Sequence, residues 1–180
     1  MKSAKTNTKS ITLIGLMTAI LCILAPFSIP IGVIPISITN FVLFLSIYIL
    51  GMKRAFICCG LYLLIGICGL PVFSGFSGGV YKFFGPTGGY LIGFLGMVAI
   101  SGYIIDRFPK NRIFTIFSMI IGMSFCYGVG TIWLCMQMHM TFLQGLYAGV
   151  FPFILGDLVK IIIISILGPM LQERLRKAGI

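Results

Sequence analysis

Long apolar runs dominate this chain, and they are separated by short basic clusters or by stretches rich in glycine and proline. Hydrophobic residues make up 59% of the 180 residues and charged residues only 9%, with a mean hydropathy of +1.14. A soluble globule needs more polar side chains than this to cover its surface. The apolar runs therefore predict an all-α integral membrane protein with the bilayer as its solvent.

Six runs are interpreted as membrane spans, at about 11–28, 38–52, 55–69, 89–106, 113–135 and 147–170. A span takes roughly 20 apolar residues, so six spans use about 120 residues and leave about 60 for termini and connections. This length predicts one six-helix bundle, a single membrane domain over residues 1–180. The third run is short and predicts a tilted or irregular helix.

The basic residues predict the orientation of the bundle. With a cytoplasmic N-terminus, all but two of the 13 basic residues fall on the cytoplasmic side, in clusters at 2–9, 53–54, 107–112 and 174–177. Lys82 is on the outer side and Lys160 is inside the last span. Because lysine and arginine favour the cytoplasmic side, we expect six spans with both termini in the cytoplasm. The net charge of +10 then indicates contact with lipid headgroups rather than nucleic acid.

The last span contains two charges, Asp157 and Lys160, three residues apart on one helical face. With a helix entering the membrane near Tyr147, Asp157 would lie about 15 Å deep. Ionisable groups at that depth cost about 3 kcal/mol each and face a cavity or one another. A structural ion pair is one interpretation. A binding site is the other, because a carboxylate beside an ammonium can bind a ligand that carries adjacent N–H and C=O groups.

The predicted outer connections 29–37, 70–88 and 136–146 are long, nearly uncharged and rich in glycine, proline and aromatic residues. Six glycines between 75 and 89 would let the backbone approach a ligand closely. Irregular backbone near a membrane is tolerated where it lines a cavity, so we place the site toward the outer face. Thr87 and Gly88 begin the fourth span, where free N–H groups favour an anion or a carbonyl, and Thr87 is equally suited to capping that helix.

Other polar and small residues have two interpretations each. Thr39 and Asn40, at the outer start of the second span, either line the pocket or hydrogen-bond between helices. Lys82 either attracts an anionic ligand or is a solvated loop residue. Gly15 and Ala19 form a small-xxx-small pair in the first span, which allows close packing inside the bundle or docking of another protein.

Several function classes lack their sequence signatures. The six cysteines have no metal-ligand spacing and are interpreted as packing residues, and His139 has no second histidine or cysteine at ligand spacing, so we expect no metal and no cofactor. Apart from Asp157 and Lys160 there is no catalytic pair, and there is no phosphate-binding P-loop. Binding and translocation of a small, semi-polar solute remains.

Three segments resemble one family of membrane proteins. The segments GLPVFSG at 69–75 and GPTGGYLIGF at 85–94, together with PFILGDLVK at 152–160, are similar to the BioY family, and PISITN at 35–40 adds to the likeness. These proteins are the biotin-binding S-components of energy-coupling-factor (ECF) vitamin transporters. The resemblance covers nearly the whole chain and implies a six-helix bundle in a prokaryotic cell membrane with biotin near its outer face.

The resemblance also implies partners and residue roles. S-components work with a transmembrane coupling subunit and two ATPases, and they dock through small residues of the first helix, which here are Gly15 and Ala19. Asp157 would accept an N–H of the biotin ureido ring and Lys160 would donate to an oxygen. Tyr90 and Phe73 would flank the apolar thiophane ring.

Some points stay open at this stage. The biotin carboxylate needs a positive partner, which would be either Lys82 or the first amides of the fourth span. Leu155 stands where the family often has proline, and Asn40 near a family glutamine, which leaves the role of Asn40 open. The alternatives are an S-component for another vitamin and, more distantly, a membrane enzyme acting on a lipid-like substrate.

Overall fold

The computed structural model describes residues 8–30, 34–109 and 111–177. Lys2, Lys5 and Lys110, which entered the charge argument, lie outside the described residues. The described part forms helices α1 Thr8–Leu24, α2 Thr39–Leu50, α3 Met52–Ile67, α4 Val80–Phe84, α5 Gly88–Arg107, α6 Arg112–Met138, α7 Phe142–Gly149 and α8 Phe151–Lys177, with strands β1 Ser28–Pro30 and β2 Pro35–Ser37.

The helices follow the apolar runs, and they confirm the predicted α-helical fold. In the described residues, three helices are long and apolar enough to cross a membrane, namely α5, α6 and the part of α8 from Phe151 to Leu175. Helices α1 and α2 are apolar but shorter. Helix α3 has only 16 residues and carries Lys53 and Arg54 near its start. The protein is thus a multi-pass membrane protein by the length and composition of its helices.

The helices over the expected sixth span at 147–170 begin and end at other residues than that run. Helix α7 ends at Gly149 and α8 begins at Phe151, so the helical conformation is interrupted at Val150. Pro152 then lies in the first turn of α8, where a missing N–H costs no helical hydrogen bond. At the other end, α8 continues through Pro169 to Lys177.

The connections at one end of the bundle contain structure of their own. Strands β1 and β2 pair antiparallel, with Ser28 opposite Ser37. The connection at 70–88 contains a bridge between Phe73 and Ser77 and then the short helix α4. We call this the cavity end of the bundle. The other end, where Arg107 ends α5 and Arg112 starts α6, is called the basic end.

At the basic end a sharp break separates α2 from α3. Gly51 has a φ of +77°, a conformation that suits glycine. The Asp106 carboxylate, at the end of α5, accepts a hydrogen bond from the Met52 backbone N–H at 2.9 Å. A negative charge at a helix N-terminus is favourable, so Asp106 fixes the start of α3 and joins it to α5.

Helices α5 and α6 pack closely against each other. A methyl group at Gly93 would lie 3.0 Å from the sulfur of Cys126, so glycine is needed for this approach. The core between the helices contains large side chains that are almost fully buried, including Phe44, Tyr62, Phe73 and Met97. This packing holds the starts of α2, α5 and α8 around one point at the cavity end.

Candidate ligand-binding site

Asp157 and Lys160 lie in the second and third turns of α8 and form an ion pair. The Lys160 Nζ is 2.9 Å from Asp157 Oδ1, and the side chains are 19% and 10% exposed, respectively. Since α8 begins at Phe151, Asp157 lies about 9 Å along the helix, rather than at the expected 15 Å. The pair is therefore closer to the cavity end than the sequence predicted.

The pair is joined by Asn40 and Ser37 from the start of α2. Asn40 Nδ2 donates to Asp157 Oδ1 at 2.8 Å. Lys160 Nζ donates to the Ser37 carbonyl at 2.7 Å and to Asn40 Oδ1 at 3.3 Å. These residues are more than 100 positions apart in sequence, so the cluster forms only in the folded bundle.

Tyr127 supplies the third side of the cluster from α6. Its hydroxyl donates to Asp157 Oδ2 at 2.5 Å. The two carboxylate oxygens of Asp157 therefore accept hydrogen bonds from three helices. Buried charges require such partners, and here the charge is both paired and hydrogen-bonded.

A count of hydrogen-bonding capacity identifies what is left for a ligand. Lys160 has three N–H donors, and all three have protein partners in this structure. The Asp157 carboxylate has about four acceptor positions, of which Asn40, Lys160 and Tyr127 use three. Asn40 keeps one N–H. The cluster can thus offer an acceptor at Asp157 and a donor at Asn40, and a direct bond from Lys160 to a ligand would replace one of its protein partners.

A cavity lies against this cluster. Its volume is about 680 Å³, including space at the open mouth. The polar side is formed by Ser37, Asn40, Asp157 and Lys160, and the apolar side mainly by Ile34, Phe73, Tyr90, Leu91, Phe94, Met123 and Phe153. A ligand with one polar and one apolar part matches this division.

Phe73 and Tyr90 both belong to the apolar wall and are held in place by contacts of their own. Phe73 is 1% exposed and packs edge-on against Tyr62 at 5.5 Å between ring centres. The Tyr90 hydroxyl donates to the Gly149 carbonyl at 3.2 Å and lies 3.3 Å from Thr131 Oγ1. Its hydroxyl is therefore occupied by the protein, and only the ring is available to a ligand.

Lys82 and Thr87 line the cavity on the side of the glycine-rich connection. Thr87 is the residue before α5, but its side chain makes no capping hydrogen bond. Nearby, Trp133 Nε1 donates to the Gly85 carbonyl at 2.9 Å and ties this connection to α6. A lysine, a hydroxyl and the N-terminus of α5 therefore meet at the cavity, an arrangement that favours an anionic group.

The family of the chain follows from its whole sequence. A model of the BioY family matches residues 1–177. The chain belongs to the BioY family. Biotin transporter BioY2 of Lactococcus lactis subsp. cremoris (strain MG1363) is 34% identical over 164 residues, which cover 90% of each chain. Biotin transporter BioY of Thermotoga maritima is 32% identical over 159 residues, covering 88% of this chain and 93% of the relative.

A solved structure has the same fold as this BioY-family chain. It is a crystal structure of the S-component for biotin from an ECF-type ABC transporter, with a TM-score of 0.84 and 31% sequence identity. The match covers 98% of this chain and 95% of the other. The proteins that this chain resembles are thus transporters, in agreement with the prediction that it is not an enzyme.

Four predicted BioY-type residues lie away from the cavity surface. Thr39 is 1% exposed and its hydroxyl accepts from Ser37 Oγ at 3.1 Å. Gly88 is buried at the start of α5 against the Phe83 carbonyl. Gly15 and Ala19 are exposed on α1. Thr39 and Gly88 therefore position neighbouring residues, and the small-residue pair faces out of the bundle rather than into it.

The sequence interpretation missed several residues of the site. Tyr127 was not singled out from the sequence, although its hydroxyl donates to Asp157. Cys126 was read as a packing residue; it is 2% exposed and also lines the cavity. The Ser37 carbonyl has no side-chain signature at all. The distance along the sequence from Asn111, the N-cap of α6, could have placed Tyr127 deep in that helix. It could not have shown which helix the Tyr127 side chain faces.

Proposed function

We propose that this BioY-family chain is the biotin-binding S-component of an ECF-type ABC transporter, which captures biotin from outside the cell for import. The observation that carries the proposal is the cluster of Asn40, Asp157 and Lys160 on one side of an otherwise apolar cavity. Biotin has the matching division, since a polar ureido ring is fused to an apolar thiophane ring.

The ureido group fits the remaining hydrogen-bonding capacity of the cluster. Asp157 accepts one ureido N–H, and the ureido carbonyl accepts from Asn40 or from Lys160 after Lys160 releases its longest bond, the one of 3.3 Å to Asn40 Oδ1. Phe73 and Tyr90 contact the thiophane ring. Because unpaired buried donors and acceptors are costly, this arrangement favours biotin over ligands that lack adjacent N–H and C=O groups.

The biotin carboxylate then meets Lys82. Lys82 lies on α4 and lines the same cavity as the Asp157 cluster, and Thr87 with the N-terminus of α5 adds further donors. A valerate chain between the two polar groups crosses the apolar middle of the cavity. This assignment chooses Lys82 over the α5 amides as the main charge, with the amides as hydrogen-bond donors.

The topology that we propose has six spans, formed by α1, α2, α3, α5, α6 and α8, within a single membrane domain. Both termini lie in the cytoplasm, so that the cavity end faces outward. Supporting this orientation, Lys53, Arg54, Arg107 and Arg112 all lie at the basic end. The chain is placed in the cell membrane of a prokaryote.

The partners that we propose are a transmembrane coupling subunit and two ATPases. The sequence has no P-loop of its own, so ATP must be hydrolysed by another chain if import is ATP-driven. Among the described residues, no atom from outside the neighbouring backbone of α1 lies within 4 Å of the place where a side chain at Gly15 would begin. Ala19 is exposed one turn further along α1. This small, flat surface allows close approach of a partner helix.

Biotin binding by Asp157→Asn tests the proposed function. Purified wild-type protein in detergent binds labelled biotin saturably at submicromolar concentration. Asp157→Asn binds about 100-fold more weakly, because a hydrogen bond to a charged group is lost. The matched control is Glu173→Gln, an exposed carboxylate on the same helix that pairs with Lys177, and it leaves the affinity unchanged.

The outcomes separate the alternatives. Saturable binding of a different vitamin, with none of biotin, would make the chain an S-component for that vitamin. Biotin binding that is equally tight in the wild type and in Asp157→Asn would make the ion pair structural and move the ureido site elsewhere.

Docking is tested by separating binding from uptake. Gly15→Trp and Ala19→Trp retain biotin binding but lose biotin uptake in cells that contain the coupling subunit and ATPases, because the indole keeps the partner helix away. Phe117→Trp, an exposed position on α6, is the control and supports normal uptake. Loss of biotin binding in Gly15→Trp would mean that the α1 surface only packs the bundle.

A further inference from the structure

Tyr127 is a part-buried tyrosine of the site, and the proposed ligand contacts do not use its hydroxyl group. It lies on α6, and its hydroxyl donates at 2.5 Å to Asp157 Oδ2. Asn40 and Lys160 both donate to the other oxygen, Oδ1. Removal of Tyr127 would therefore leave one carboxylate oxygen without any of its described hydrogen bonds, while the other oxygen keeps two.

The carboxylate needs this third donor to have a defined orientation. The terminal torsion of an aspartate is broad and roughly two-fold, so rotation can exchange its two oxygens at little cost. Lys160 and Asn40 restrain this torsion through one oxygen only. A donor on Oδ2, coming from a different helix, restrains it through the second oxygen as well and leaves about one acceptor position free for a ligand.

Tyr127 also lines a second space in the bundle, next to the ligand cavity. An apolar cleft lies between α6, α7 and α8, and Met123, Tyr127 and Asp157 line both this cleft and the ligand cavity. The cleft is bordered by Ile154 and Leu158, which are 37% and 40% exposed on the apolar surface of the spans. These three side chains thus lie between the ligand cavity and a cleft on the apolar surface of the spans.

We propose that Tyr127 is a positioning and specificity-determining residue of this site, which orients Asp157 with its hydroxyl and closes the cavity with its ring. The inference rests on the proposed biotin function. A fixed Asp157 accepts a ligand N–H in one direction only, so a ligand with a methyl group in place of that hydrogen clashes and is rejected. A carboxylate that can rotate tolerates such a ligand better.

Two variants separate the hydroxyl from the ring. Tyr127→Phe keeps the wall and removes only the donor, and Tyr127→Leu removes both. The matched control is Tyr147→Phe, since Tyr147 is 63% exposed on α7 and is absent from both cavity walls. Thermal unfolding of each purified variant confirms that it is folded before binding is measured.

The measurement is the dissociation constant of labelled biotin and of a biotin derivative methylated on both ureido nitrogens. Tyr127→Phe weakens biotin binding by about 10-fold, because a hydrogen bond to a charged group is lost. The dissociation constant of the methylated derivative divided by that of biotin falls by a similar factor. Tyr127→Leu binds biotin more weakly than Tyr127→Phe, because the cavity then opens to the cleft. Tyr147→Phe changes neither constant.

If Tyr127 only stabilised the fold, its loss would leave the ratio of the dissociation constants of the derivative and of biotin unchanged. If Tyr127→Phe weakened both ligands equally, or neither, the positioning role would be wrong. If Tyr127→Leu equalled Tyr127→Phe, the ring would not close the cavity. Failure of the proposed function is distinct from both results, since wild-type protein would then not bind biotin.

Discussion

Near the basic end, Ser101, Thr115 and Ser118 are as deeply buried as Asp157 at the cavity end, yet their polar groups are satisfied in a different way. Ser118 and Thr115 donate to carbonyls three residues earlier in their own helix, and Ser101 donates to the Ser118 carbonyl of the adjacent helix at 3.0 Å. No charge is involved. In contrast, Asp157 depends on donors from α2, α6 and α8, and it faces a cavity.

The comparison separates polar groups that support the bundle from those that bind a ligand. A hydroxyl bonded to its own helix is satisfied wherever that helix forms, so its loss affects mainly stability. A charged cluster that is satisfied only across helices keeps expensive groups next to an open space. Substitutions at the cavity end should therefore change ligand affinity, and those at the basic end should change only stability.

The largest expected effect comes from Lys160→Met. It leaves the Asp157 charge buried and unpaired, so biotin affinity falls by more than about 100-fold and stability by about 3 kcal/mol. In the double variant Asp157→Asn with Lys160→Met no charge is buried, and stability returns while affinity does not. Thermal unfolding and biotin binding of the two variants measure this. Recovery of biotin binding in the double variant would contradict the ligand role of the pair.

A smaller effect is expected from Lys82→Met in the glycine-rich connection that lines the cavity. Loss of the charge weakens biotin binding by about 10-fold, which corresponds to about 1.4 kcal/mol. Biotin amide, which lacks the carboxylate, binds the wild type and Lys82→Met equally well. Competition against labelled biotin gives both affinities. An equal loss for the amide would show that Lys82 supports the fold of α4 instead of binding the carboxylate.

The smallest effect on binding is expected from Ser101→Ala at the basic end. It removes the hydrogen bond to the Ser118 carbonyl and lowers the free energy of unfolding by about 1 kcal/mol, with no change in biotin affinity. Denaturation in detergent and biotin titration check the two parts. A clear loss of affinity in Ser101→Ala would remove the distinction between the two ends of the bundle.

The comparison also explains what the sequence could predict. Asp157 and Lys160 were identifiable because a charge within an apolar run is costly without a function or a partner. Phe73 and Tyr90 were found through the family resemblance and Lys82 through its charge in an outer connection, and each lines the cavity. The apolar runs likewise located the helices, because each long run needs a helix in a bilayer.

Other features depend on contacts that one helix alone does not encode. Tyr127 has no signature in the sequence, and only the packing of α6 against α8 places it on Asp157. The break at Val150 lies within an apolar run, so hydropathy joined α7 to α8. Pro152 is the local signal that a helix begins there. One of the three hydrogen bonds of Lys160 goes to the Ser37 carbonyl, and a backbone carbonyl has no pattern in the sequence.

The most direct test of the account is a crystal structure of the protein with biotin bound. We expect a ureido N–H within hydrogen-bond distance of Asp157, the thiophane ring between Phe73 and Tyr90, and the carboxylate close to Lys82. Biotin bound outside this cavity, or with its carboxylate at Lys160 and its ureido ring at Lys82, would contradict the account.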